Sequence, residues 1–276
     1  MVSRTPLDTF FFRLNDLPVT YHDLNVEVRG PDDAPPLLLL HGWGSNGQNM
    51  RPLAEALSAS YQTHTIDLPG HGSSPAPPEP WGVPEHADLL HVYVRDEIQG
   101  PVTVLGHSNG GRIALYMAST PDLADIVDRL VLISPSGVEP QRSVGYYLRS
   151  GAAKTLKAPF EVLPSPLREP AMDWLRHSLV WKMLGSSDYN TLSGVMRETF
   201  VKTVNQHLNG ALQRIQVPTL LFWGTEDEAV SRRQMQVIED AIDNCGFVEL
   251  EGAGHYGHLD DFSTVLSATR HFLETG

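Results

Sequence analysis

Cysteine is almost missing: Cys245 is the only one in 276 residues, so no intramolecular disulfide can staple the chain and a disulfide scaffold is excluded. Basic charge is scarce too. Twenty Lys and Arg stand against 33 Asp and Glu, a net −13. That argues against a general nucleic-acid binder, which needs a basic footprint to release counterions from phosphates. No apolar run approaches the roughly 18 residues that read as a membrane span. Leu37–Leu40 is only strand-sized, and Phe10–Phe12 is too short an apolar stretch for a signal peptide. These features fit a reducing cytoplasm, with neither nucleic acid nor a membrane span expected. What the chain does have is 41% apolar against 19% charged residues, enough to bury a sizeable core in one large domain or one domain with an insertion.

Short apolar segments recur at 37–41, 61–68, 101–107, 129–134, 217–223 and 246–250, flanked by turn formers. Helix-like stretches at 52–59, 84–98, 110–119 and 231–242 separate several of them. That alternation predicts an α/β fold with a mostly parallel sheet covered on both faces, and residues 19–30 suggest an antiparallel edge hairpin. The pattern breaks between about Val138 and Leu212, where helices are expected near 141–157, 168–184 and 188–208. Nine Lys/Arg and six Asp/Glu make this stretch +3 and leave −16 for the remainder. The expected organisation is a core of residues 1–137 and 213–276 with a helical lid at 138–212. The lid would lie over the strand ends where open parallel sheets bind ligands.

One strand-to-helix junction carries the strongest chemical signal. Gly106-His107-Ser108-Asn109-Gly110-Gly111 follows the strand-like Val102–Leu105 and precedes the helix-like Arg112–Leu115. A Gly-x-Ser-x-Gly turn in that context lifts a strained serine above the sheet, near a helix amino terminus. A serine hydroxyl is a poor nucleophile at neutral pH and needs a base oriented by a third group. His255, in a Gly-rich loop after the last strand-like segment, is the preferred base, with His258 as its rival. Asp227, just past the segment Leu220–Trp223, is the preferred orienting acid between Glu226 and Glu228. Backbone amides of Trp43 and Asn109 can approach the same strand-end site and form an oxyanion hole. His255 and His258 with Asp260 and Asp261 imitate a metal cluster, but the serine turn explains His255 better, and no metal or other cofactor is expected.

His41-Gly42-Trp43-Gly44, Asp67-Leu68-Pro69-Gly70-His71-Gly72-Ser73-Ser74, the Ser108 turn, Trp223–Asp227 and Gly252–His255 fall in one order along residues 41–258. In this set the chain resembles the α/β-hydrolase superfamily, in the serine hydrolase branch with a helical lid. The resemblance implies a mostly parallel eight-stranded sheet flanked by helices, with the cap inserted after strand six. It also implies the nucleophile–acid–base order Ser108, Asp227, His255. Ser at 108 disfavours the carboxylate-nucleophile chemistry of related dehalogenases and epoxide hydrolases. Trp43 and His107 weaken the resemblance to carbon–carbon hydrolases.

The expected activity is hydrolysis of a small or medium carboxylic ester, a small-molecule substrate, through an acyl-enzyme intermediate. Apolar groups in the lid make an uncharged ester the first expectation; its basic balance leaves an anionic substrate, or simple charge complementarity with the acidic body, as the alternatives. Trp43, Tyr146, Trp174, Trp181 and Met196 are candidates for the pocket lining. A carbon–carbon, lactone or perhydrolase activity of the same triad is the alternative within enzymes. A ligand-binding or signalling member with vestigial hydrolysis is the alternative outside them.

Overall fold

The run Pro36–Leu40 (β2) is apolar at every position from Leu37 on, and all four leucines are buried. A strand that is apolar on both faces must be covered on both. Leu38 and Leu40 belong to one apolar cluster, Leu37 and Leu39 to a second on the opposite face. Leu130/Leu132 and Val131/Ile133 divide in the same way. The computed structural model, which describes residues 19–140 and 194–275, therefore holds two cores separated by a sheet.

The strands are β1 (Val26–Arg29), β2, β3 (Gln62–Ile66), β4 (Val102–His107), β5 (Val127–Ile133), β6 (Thr219–Gly224) and β7 (Cys245–Leu250). Their order is β1-β3-β2-β4-β5-β6-β7, with β1 antiparallel to β3 and all other pairs parallel. The helices are α1 (Arg51–Leu57), α2 (Val83–Tyr93), α3 (Asn109–Ser119), α4 (Gly194–Val204), α5 (Arg232–Ala241), α6 (Gly257–Asp260) and α7 (Phe262–Thr275). Leu53, Leu57 and Val265 put α1 and α7 on one face; Leu90, Ile113, Met117 and Ile238 put α2, α3 and α5 on the other. Strand order reverses between β3-β2 and β2-β4, and the crevice at such a switch point is where an open α/β sheet takes its ligand.

Several expectations change. The described residues supply seven strands of the sheet, and the eighth expected strand is not among them. Residues 19–30 supply one edge strand instead of a hairpin, because Asp23 accepts from both the amide and the hydroxyl of Thr20 and winds residues 21–23 into a helical turn. Among the described residues the interruption of the α/β alternation follows the fifth of the seven strands. Most of the expected lid lies outside the described residues. Its described part includes α4, inside the helix expected at 188–208.

The loop after β3 is stapled by Asp67. Its carboxylate accepts from the Gly47 amide (2.7 Å), the Ser73 amide (2.9 Å) and the Asn25 side chain (2.8 Å), while Ser74 donates to its carbonyl at 2.6 Å. Burial pushes this carboxyl up, but those hydrogen bonds outweigh it and hold it below the ordinary carboxylate value.

Candidate active site

β4 ends at His107 and α3 begins at Asn109, so one residue, Ser108, must turn the chain. It does so at φ 51° and ψ −108°, a conformation that strains any residue with a Cβ. Its backbone is held on both sides: the amide donates to Ile133 (3.0 Å), and the carbonyl accepts from the Arg112 and Ser136 amides (both 3.0 Å). The turn also needs a bare backbone beside it. A Cβ on Gly110 would lie 2.3 Å from the Leu40 carbonyl, so only glycine lets α3 sit this close to β2.

The other candidates come from neighbouring strand ends. Asp227 lies three residues past β6, its side chain fully buried. Its Oδ1 accepts from the Ala229 and Val230 amides at 2.8 and 3.0 Å, and its Oδ2 pairs with His255 Nδ1 at 2.9 Å. Burial raises this carboxyl, but the hydrogen bonds from His255 and Val230 outweigh it and hold it below the ordinary value. It is therefore an anion at neutral pH and can only accept, so His255 Nδ1 carries the proton and, in the neutral ring, Nε2 does not. The loop after β7 that bears His255 is pressed against β6: a Cβ on Gly224 would lie 2.3 Å from the Ala253 and Gly254 carbonyls. Glu226 and Glu228 are exposed.

His258 lies elsewhere. It is fully buried, its ring 4.8 Å from that of His107, and burial pushes its pKa down to about 4. His107 in turn donates from Nε2 to the His255 carbonyl at 2.9 Å and buttresses that loop from below. His41 links two strand ends, with Nδ1 donating to the Gly42 carbonyl (2.7 Å) and Nε2 accepting from the Leu68 amide (2.9 Å).

A cavity of about 220 Å³ opens above these strand ends. Trp43, Ser108, Asn109 and His255 line it together, so the structure gathers the expected nucleophile, base and oxyanion donors around one space. Ser108 and His255 are not hydrogen-bonded to each other, as is common before a substrate tightens such a site. Among the described residues, neither the Trp43 nor the Asn109 amide is taken by a protein acceptor. The Trp43 indole packs on Phe200 of α4 (5.2 Å between centroids) and on His71 (4.8 Å).

Of the expected pocket residues, Trp43 lines the cavity. Met196 packs against Gly70 instead, and Tyr146, Trp174 and Trp181 lie outside the described residues. Arg112, Phe200 and Tyr256 line it without having been singled out from the sequence. Arg112 stands four residues after Ser108, a spacing that puts both on one helix face and was legible as such. Among the described residues no group of three or more His, Cys, Asp or Glu is placed to hold a metal ion, and no helix is long and apolar enough to cross a membrane.

The buried histidines give this architecture a pH signature. Burial pushes His41 and His86, like His258, to about 4, against an unfolded value near 6.5. The unfolded chain thus binds more protons between those limits, and stability falls as pH drops through that window. Each group contributes up to about 1.4 kcal/mol per pH unit, together roughly 4 kcal/mol per pH unit. Urea unfolding midpoints should therefore decline steeply from pH 6.5 to pH 5, before most carboxylates titrate. A flat profile over that range would show that these histidines take up protons without unfolding the chain.

Comparison with known proteins identifies the fold. The profile of the alpha/beta hydrolase fold family matches residues 35–262. The chain is similar to the pimeloyl-[acyl-carrier protein] methyl ester esterase of Chromobacterium violaceum, at 28% identity covering 91% of this chain and 99% of the relative. An uncharacterized protein of Mycobacterium bovis is 26% identical over 93% of this chain and 80% of its own. Among solved structures, the enol-lactonase from Burkholderia xenovorans superposes with a TM-score of 0.67 at 21% identity, covering 91% of this chain and 96% of its own, a likeness of fold.

Proposed function

The chain belongs to the α/β-hydrolase family, and from that premise we propose a serine hydrolase that cleaves a small or medium carboxylic ester through an acyl-enzyme. His255 Nε2 takes the Ser108 proton as Oγ attacks the ester carbonyl. The resulting oxyanion is held by the Trp43 and Asn109 amides. His255 then returns the proton to the leaving alcohol as the C–O bond breaks. Water, activated by the same imidazole, hydrolyses the Ser108 acyl ester and restores the enzyme. Asp227 fixes the tautomer and stabilises the imidazolium.

The observation that carries this reading is the 2.9 Å His255–Asp227 hydrogen bond beside a strained serine in one shared cavity. The esterase name of the Chromobacterium relative supports an ester over another acyl group. A cap over residues 138–212 is part of this reading; in its described part, Phe200 packs on Trp43. A cytoplasmic location is part of the same reading. The test is hydrolysis of p-nitrophenyl esters of increasing acyl length, beside labelling by a serine-reactive fluorophosphonate. Turnover with labelling at Ser108 is expected. A folded protein that neither turns over nor labels would overturn the hydrolase reading and favour a ligand-binding role.

A further inference from the structure

We propose that Arg112, buried in the wall of the Ser108 cavity, binds a carboxylate carried by the ester substrate. This rests on the reading of Ser108 as the nucleophile and narrows its substrate class from carboxylic esters in general to those that carry an anionic group.

Arg112 is only 6% exposed yet lines the cavity. Its amide donates to the Ser108 carbonyl, so the two residues are one helical turn apart on the same face of α3. Helical side chains lean towards the amino terminus, which directs this one back towards the cavity. Its aliphatic stem is packed against Gly137, where a Cβ would lie 3.2 Å from Cγ. Only the stem has an apolar reason to be there.

The guanidinium itself is under-satisfied. Nη1 donates to the Thr203 carbonyl at the end of α4, and Nε is buried with no acceptor. Among the described residues no carboxylate pairs with it. Burial alone pushes its pKa down, to about 10, so it stays a cation at neutral pH. A buried cation without a counter-anion is costly, and a planar fork with one edge unspent matches a carboxylate. The competing account is a strut: the Thr203 contact ties α3 to α4 whatever the substrate carries.

The two accounts differ in what they do to charged and neutral substrates. The p-nitrophenyl half-esters of glutarate and adipate would be compared with neutral p-nitrophenyl esters of equal chain length. Wild type should favour the half-esters by about 10- to 100-fold in kcat/KM, mainly through KM. Arg112→Met should erase that preference, and Arg112→Lys should keep part of it. Equal losses on both substrate types, or no preference in wild type, would overturn the carboxylate site.

A catalysis-free arm separates the two readings. Adipate would be titrated calorimetrically into Ser108→Ala protein, with and without Arg112→Met. Binding that needs Arg112, without serine-dependent turnover in wild type, would keep the anion site and sink the hydrolase reading. Turnover of neutral esters without adipate binding would do the reverse. Tighter binding of inorganic phosphate than of adipate would overturn the choice of carboxylate.

Discussion

Ser108→Ala is expected to lower kcat by about 100,000-fold or more on any ester the wild type hydrolyses. The hydroxyl is the atom that forms the covalent bond, and the residual rate would come from the oxyanion donors and substrate binding alone. The substitution keeps the Cβ and every hydrogen bond that holds residue 108, since these run through its backbone to Ile133, Arg112 and Ser136. Circular dichroism and the unfolding midpoint should therefore stay close to wild type. Stopped assays with the two proteins side by side decide the matter. A folded alanine variant within tenfold of wild-type kcat would require a different nucleophile.

Asp227→Asn should cost about 10,000-fold in kcat with little change in fold. The reason lies in its partners. Oδ1 receives two amide N–H groups, so an asparagine must turn its carbonyl oxygen to Ala229 and Val230. Its NH₂ then meets His255 Nδ1, which can accept only when the ring proton sits on Nε2. A base protonated at Nε2 cannot take the Ser108 proton. His255→Ala should be similarly damaging, while His258→Ala should act mainly on stability, because that ring is buried among His107 and Tyr256 rather than paired with the acid. Loss of kcat greater for His258→Ala than for His255→Ala in folded protein would reassign the base.

Why some of this was readable from the residues and some was not has physical causes. Buried parallel strands write themselves as continuous Leu/Val/Ile runs, so β2, β4, β5 and β6 fall within two residues of expectation. The serine turn is readable because its geometry tolerates little besides glycine around it. Asp227 and His255 were placed by what precedes them, a strand and a turn. The Gly-rich loop favours His255 over His258, and the structure adds what a three-residue spacing does not encode: His258 is buried while His255 pairs with Asp227. α7 went unnamed although Phe262, Val265, Leu266, Thr269 and Phe272 follow a helical period, because its pattern sits directly behind the histidine loop. Arg112 reads as an ordinary helical residue in the sequence, since only the fold shows that, among the described residues, no carboxylate pairs with it. The lid aromatics Tyr146, Trp174 and Trp181 lie beyond the described residues.

The positive φ of Ser108 has a consequence for heat resistance. A residue with a Cβ held in that region stores about 1–3 kcal/mol, whereas glycine adopts it freely and gives back roughly 0.5–1 kcal/mol through its more flexible unfolded chain. Ser108→Gly should thus melt a few degrees above Ser108→Ala, and at or above the wild type, while remaining inactive. A differential scanning calorimetry trace with the glycine variant below the alanine variant would show that the neighbours of residue 108 do not hold it under strain. If the order is as expected, the most thermostable form of this protein is one that has lost its reaction, and selection for heat tolerance alone would tend to erode the site.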